Sequence, residues 1–328
     1  MTRICAPICL WLNMGNWGIV IKVCRLRSLL QKPVFFIKNR FINLMTTGRV
    51  VFLFMEQRDR AEGWKHAKIS GHVNEDLVTA NLKKSTSLQK RILSTFGKQH
   101  CRITDIKDGG LHETNVECIL GNTTKSKTDL KINLDDNSLI NISIKKSLSG
   151  QVFLIGTERF LEGFQLQYET TIPENVKYAM RLFWGAIDVS KIIDGYSESN
   201  VIAYEKHKNR ITAQTLKKFD LKLYQDLISW FNTNISNITD FCFSKGLSKN
   251  EDDWANLIWY KNNLHENDID ELFTLSKLKV LVAKEKAFYG TTGGGTTIQL
   301  PFGFVQWHQG KMQFHHNFNK IWQINQNT

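Results

Sequence analysis

Proline is scarce, with 4 residues in 328, which excludes Pro-rich linkers and collagen-like repeats. Cysteine is scarce as well. Its six residues (Cys5, Cys9, Cys24, Cys101, Cys118 and Cys242) are too few and too scattered for a disulfide scaffold, so a reduced, cytoplasmic protein is expected. No stretch of about 20 residues is continuously apolar, and no membrane-spanning helix is expected. Acidic side chains are missing altogether from residues 1–54, which hold eight cations: Arg3, Lys22, Arg25, Arg27, Lys32, Lys38, Arg40 and Arg49. What is present is an ordinary globular balance. At 42% hydrophobic and 23% charged residues the chain can bury a sizeable core and is not disordered throughout. The net charge of +12 makes polyanions the natural partners, although the leader's cations leave only +4 for residues 55–328.

The leader differs from the rest of the chain. Its apolar run from Leu10 to Val23 is broken by Asn13, Asn16 and Lys22, and no small-residue cleavage site follows, so it does not read as a signal peptide. Serine is too rare there for an organellar transit segment. Residues 1–54 are expected to be atypical upstream sequence, with translation beginning near Met45 or Met55; a basic DNA-binding arm is the alternative. Residues 55–328 are expected to form the functional domain.

Along that domain, Glu62 to Phe96 reads as helical with a break near Ser85, and Gly71, Glu75, Val78 and Leu82 share one face. Thr104–Gly110 is expected to be a loop, Glu113–Leu120 a strand and Gly121–Lys127 a polar connector. Thr128–Leu134 and Leu139–Lys145 read as a β-hairpin around Asp-Asp-Asn-Ser. Val152–Ile155 is a short strand between Gly150 and Gly156. Helices are expected over Asn175–Phe183, Leu216–Phe231, Asp252–Tyr260 and Asp268–Ala283, followed by a Gly-rich and then β-like end from Gly290 to Ile324. Strands and helices are mixed without strict alternation, which predicts an α/β fold with a mixed central β-sheet flanked by helices.

The hairpin carries the chemistry. Asp129, Lys131 and Asn133 lie on one face of the first strand, and Asn141, Ser143 and Lys145 on one face of the second. For the two polar faces to coincide, paired residues need an even index sum, which requires an odd loop, of three residues among Asp135–Ser138. Asp129 then stands beside Ser143 and Lys145. A carboxylate fixed on a strand binds a hard cation such as Mg²⁺ through oxygen. Such a cation stabilises charge on a phosphodiester and acidifies water. An ammonium on the neighbouring strand orients that water or stabilises the phosphorane-like transition state. Glu75, on a helix able to pack over the sheet, supplies a second carboxylate.

Lys127-Thr128-Asp129 on one strand and Ser143-Ile144-Lys145 on the next resemble the PD-(D/E)xK nuclease superfamily, which includes many type II restriction endonucleases. The resemblance implies that Asp129 is a Mg²⁺ ligand and Lys145 the catalytic lysine. Ser143 stands where the family usually has Glu or Asp. Members of its MspI-like branch carry an uncharged polar residue there, and the departure makes Glu75 the expected second metal ligand.

The C-terminal segment resembles the tails of that branch. Gly290–Thr297 is a glycine-rich loop, and Phe302–His308, a Gln309-Gly310 turn and Lys311-Met-Gln-Phe-His-His316 form a hairpin. Glycines let backbone N–H groups approach phosphates, and polar side chains on a β-ribbon reach base edges or backbone in the major groove. The residues expected to touch DNA are Thr296, Thr297, Gln306, His308, Lys311 and Gln313, with Lys146 and Ser147 beside the catalytic lysine. Phe302, Phe304, Trp307 and Phe314 read as core. His308, His315 and His316 lack a Cys or carboxylate at ligand spacing, so zinc is not expected there. Gly293–Gly295 lacks the Gly-Lys-Ser/Thr ending of a P-loop, so nucleotide hydrolysis is not expected.

The resulting expectation is a type II restriction endonuclease that uses Mg²⁺ to cut double-stranded DNA at a short specific sequence, leaving 5′-phosphate ends. A cognate DNA methyltransferase is the partner the family implies; homodimerisation is left open. Another nuclease of the superfamily, acting in repair or junction cleavage, and a non-catalytic DNA-binding protein are the alternatives.

Overall fold

A computed structural model describes residues 8–14, 17–23, 60–108, 115–189, 192, 211–264 and 269–326. Strands β1 (Ile8–Met14) and β2 (Trp17–Val23) pair as an antiparallel hairpin within the leader. Met45 and Met55, the expected start sites, lie outside the described residues. Among the described residues no helix is long and apolar enough to cross a membrane. Cys101, Cys118 and Cys242 are free and buried.

The expected helical stretch is two helices, α1 (Arg60–Lys84) and α2 (Thr86–Thr95). Ser85 separates them as an N-cap, its hydroxyl accepting from Leu88 N at 3.3 Å, an interaction worth about 1 kcal/mol. Then follow β3 (Ile103–Asp108), β4 (Asn115–Glu117), β5 (Thr123–Lys125), β6 (Leu130–Leu134), β7 (Leu139–Lys145) and β8 (Ser149–Gly156). A helical stretch comes next: α3 (Thr157–Gln167), α4 (Glu174–Phe183), α5 (Ala213–Phe219), α6 (Leu221–Thr233) and α7 (Ile235–Asp240). The chain continues with β9 (Leu257–Lys261), β10 (Asp270–Thr274) and α8 (Leu275–Val282). It finishes with β11 (Phe288–Tyr289), β12 (Thr297–Leu300), β13 (Gly303–His308), β14 (Lys311–Asn317) and α9 (Phe318–Gln326).

These strands make two five-stranded sheets, ordered β10-β9-β7-β6-β3 and β11-β12-β13-β14-β8, with β4 and β5 paired separately. The first is mixed: β7 runs parallel to β9 and the other pairs are antiparallel. One of its faces buries Ile140, Ile142, Ile144, Leu257 and Trp259 against Val78, Leu82, Ile92 and Leu93 of α1 and α2. Its other face contributes Ile258, Tyr260 and Phe273 to a larger core shared with the second sheet and the helices α3 to α8. The architecture is α/β, with a mixed central sheet flanked by helices.

Several local expectations are corrected. Residues 104–108, expected as a loop, belong to β3, whose pairing with β6 shifts between Ile103 and Asp105. A bulge there puts Ile103 and Ile106 three apart on one packed face and hides the period-2 signal. The connector Gly121–Lys127 contains β5. Asp252–Tyr260 is not a helix: Glu251–Asp253 is a single 3-10 turn, and Leu257–Lys261 is a strand buried on both faces, whose continuous apolar run fits a central position. Asp268–Ala283 divides into β10 and α8 because Thr274 caps the helix, accepting from Lys277 N at 3.3 Å. Leu216–Phe231 likewise divides at Asp220, which accepts from Leu223 N. The β-like end closes in a helix, α9.

The terminal hairpin turns through Gln309 and Gly310, both at positive φ (51° and 75°), a two-residue turn that suits the strand twist. Gly303 is a tighter constraint. A Cβ there would stand 1.9 Å from the backbone oxygen of His315 on the paired strand. Gly303→Ala is therefore expected to lower stability by about 1–3 kcal/mol or more, since neither backbone can retreat without breaking the ladder. Chemical denaturation checks this; an unchanged midpoint would refute it.

Candidate active site

The β6–β7 register pairs Leu130 with Ile142, Lys131 with Asn141, Ile132 with Ile140 and Asn133 with Leu139. Every sum is even. Leu134 N donates to Ser138 O and Asn137 N to Leu134 O, so the loop is the three residues Asp135–Asn137, with Asn137 at φ 64°. The strict alternation of Ile and Leu against polar residues sets this register, because slipping by one would turn the isoleucines away from α1 and α2.

The polar face divides into two halves. Toward the hairpin tip it is occupied by structural bonds: Lys131 Nζ reaches Asp253 Oδ1 at 2.8 Å, and Asn141 Nδ2 donates to the carbonyls of Asp252 and Trp254. The turn before β9 is thereby clamped to the sheet. Toward the open end the side chains face one another. Ile144 N donates to Asp129 Oδ2 at 2.7 Å, Ser143 Oγ lies 3.3 Å from the same oxygen, and Lys145 Nζ donates to Ser143 Oγ at 2.6 Å. The carboxylate, hydroxyl and ammonium thus form one connected chain across two strands.

Glu75 joins this group from α1. The adjacent Asn74 is fully buried and fixes that turn of the helix to the end of β9, donating to Lys261 O at 2.9 Å and accepting from Asn263 N at 2.7 Å. Burial pushes the Glu75 carboxyl above its ordinary value, and the charge of Asp129 pushes it further. The Asp129 carboxyl is also raised, chiefly by burial, against the opposing pull of Lys145 and the Ile144 amide. Two desolvated carboxyl groups that repel each other make a donor set suited to a hard divalent cation, and Asp129 and Glu75 fit that role. It follows that Asp129→Asn should melt at a higher temperature than the parent in EDTA, by about 2–4 °C for each kcal/mol of relieved charge burial. A lower melting temperature in a calorimetric scan would refute this.

Three neighbours were not singled out as functional by the sequence. His72 Nδ1 sits 3.3 Å from Glu75 Oε2, one helical turn away, while its Nε2 is buried without a partner. Lys127 is half-buried; its ammonium donates to Val152 O at 2.9 Å and lies 3.6 Å from the Phe153 ring centroid. Burial brings its pKa down to about 7. His316 is buried against Tyr260, Nδ1 to hydroxyl 3.1 Å, and burial together with the Lys145 charge lowers it to about 3. The i, i+3 spacing of His72 and Glu75 was the available signal for the first. The other two depend on strands far apart in sequence coming together.

Thr297, Gln306, His308, Lys311 and Gln313 lie together on the outward face of the second sheet, where Thr297 pairs with Gln306 and Gln306 with Gln313. Gln306 donates to Gln313 at 2.8 Å and Gln313 to Gln151 at 2.7 Å, forming a row of amides across three strands. Phe302 and Phe314 are core, as expected, whereas Phe304 is only partly buried and stacks on His315 with centroids 4.5 Å apart. Thr296 closes the glycine-rich loop ahead of β12. Lys146 and Ser147 lie in the short link from β7 to β8, which carries the chain from the first sheet to the second.

No family model matches the sequence, and no curated protein is similar to it. Among solved structures, the fold is similar to a crystal structure of the restriction endonuclease MspI in complex with its cognate DNA, at 12% identity and a TM-score of 0.46, covering 78% of this chain and 93% of that one.

Proposed function

We propose that the chain is a Mg²⁺-dependent endonuclease that hydrolyses double-stranded DNA at a specific short sequence, in the manner of a type II restriction enzyme. The observation that carries this reading is the Asp129–Ser143–Lys145 chain at the open end of the hairpin, with Glu75 brought alongside. When bound to Asp129 and Glu75, Mg²⁺ supplies charge neutralisation at the phosphate and acidifies water.

The protein's own groups do the rest. The Ile144 amide and the Ser143 hydroxyl hold one Asp129 oxygen, which leaves the other for the cation. His72 holds Glu75 on its helix. The Lys145 ammonium, fixed at the end of a central strand, stabilises the charge that develops on the scissile phosphate and keeps the attacking water in line. The products carry 5′-phosphate and 3′-hydroxyl ends. Lys146, Ser147 and the outward face of the second sheet contact the duplex. A DNA methyltransferase of the same specificity protects the host genome.

Plasmid digestion with the full chain in Mg²⁺, Mn²⁺ or EDTA tests the proposal. Discrete metal-dependent fragments are expected. Random or structure-selective cutting would favour a repair or junction nuclease. Salt-sensitive DNA binding with no cleavage in either metal would leave a DNA-binding protein.

A further inference from the structure

The hairpin has a second chemically equipped end. At its closed tip, Asp136 meets the loop between α2 and β3, and His100, Cys101 and Asp136 each present a ligand atom within 4.8 Å of the others. We propose that this seam is a second metal site, of the thiolate–imidazole–carboxylate class that takes Zn²⁺, separate from the catalytic edge.

Several features make it a built site. The Cys101 thiol donates to Asp136 Oδ2 at 3.4 Å. That is already close to the roughly 3.5 Å between adjacent ligand atoms that Zn–S and Zn–O bonds of about 2.3 and 2.0 Å give in a tetrahedron. The other Asp136 oxygen is held by Ser138, whose backbone N donates at 3.0 Å, so the carboxylate cannot turn away from the sulfur. The two segments are fastened to each other beside the cysteine. Arg102 N donates to Asp135 Oδ1 at 2.9 Å, and Asp135 N donates to Arg102 O at 3.0 Å. Cys101 is buried, while His100 and Asp136 are exposed, so an ion has a way in and the imidazole has freedom to close on it. Water takes the fourth position.

The site also carries a cation without a metal. The Lys98 ammonium lies 2.6 Å from the same Asp136 oxygen that meets the thiol, and the lysine is only partly buried. An incoming dication replaces it, and the ammonium swings into solvent. Loading releases one proton, from the Cys101 thiol to water, as the sulfur–metal bond forms. Asp136 stands seven residues from Asp129, on the order of 20 Å along an extended strand, so the two sites are occupied independently. A metal here would tie α2 to the tip of the hairpin whose open end bears Asp129 and Lys145.

Cobalt(II) titration of the reduced full chain tests the proposal, because a thiolate gives Co²⁺ a near-ultraviolet charge-transfer band that a carboxylate site does not. The expected result is a band saturating at one equivalent, together with the visible bands of a tetrahedral centre, equal in the parent and in Asp129→Asn. Cys101→Ser should abolish the charge-transfer band. His100→Ala alters only an exposed side chain and should weaken Co²⁺ binding at least tenfold, a loss that removing even a hydrogen-bond partner of a metal ligand reaches. A folded parent with no charge-transfer band, or a band that persists in Cys101→Ser, would overturn the proposal. Should Cys101→Ser not fold, His100→Ala decides: unchanged affinity rejects the site.

Discussion

On the proposed function, Lys145→Ala is expected to lower the rate of Mg²⁺-dependent DNA cleavage by about 10²–10⁴-fold, the range typical of removing a positioned catalytic side chain. The melting temperature is expected to stay within about 2 °C, because the Lys145 side chain is partly exposed and truncating such a side chain costs little stability. The strength of the prediction lies in how the ammonium is held. Lys145 is the last residue of a strand flanked by β6 and β9 and lies in register with Tyr260. Its Nζ donates to Ser143 Oγ and, at 3.3 Å, to the carbonyl of Ile144. Lys127 and Lys131, just before and on β6, have partners of their own. The Nζ of Lys127 is committed to Val152 O beneath the Phe153 ring, and Lys131 is committed to Asp253. Single-turnover cleavage followed on gels, alongside a thermal melt, checks both halves. Cleavage at the parental rate by a folded variant would remove Lys145 from the chemistry.

Phe160→Ala is expected to cost roughly 3–5 kcal/mol, as truncating a fully buried aromatic does. That corresponds to a fall in melting temperature of about 2–4 °C per kcal/mol for a domain of this size. Phe160 is wholly buried on α3. Its ring lies 5.5 Å from Phe164, 5.6 Å from Phe241, 5.8 Å from Phe314 and 6.3 Å from Trp230. These partners belong to the same helix, to the segment after α7, to β14 and to α6. One truncation therefore opens a cavity where the helical layer meets the second sheet, and rigid rings on every side cannot collapse into it. A urea or thermal melt measures the loss; a value under about 1 kcal/mol would show that the rings repack.

The part of the site built from one short hairpin was legible in the sequence, because period-2 alternation fixes both which residues face together and which loop lengths are allowed. Glu75 was legible from helical spacing with Val78 and Leu82. What was hidden depends on distant segments. The acidic start of Asp252–Tyr260 resembles a helix cap, yet the backbone carbonyls of Asp252 and Asp253 are used by Ser126, Thr128, Lys131 and Asn141, and tertiary bonds outweigh the local preference. β3 was hidden by its bulge. His316 alternates with Phe314 and Met312 on the buried face of β14, which the sequence indicates, but its approach to Lys145 exists only once β14 pairs with β8.

The three-residue loop at Asp135–Asn137 has a consequence for how such a chain can drift over time. A residue inserted or deleted at the tip is taken up in the turn, because residues paired across two antiparallel strands face the same way whatever the loop between them. A change inside either strand has no such outlet. Short of a bulge, it exchanges inner for outer side chains from that point on, sending Asp129 to the side opposite Lys145 or the isoleucines into solvent. Length changes in this hairpin are therefore expected at the tip and not along β6 or β7, a rule set by the pleat.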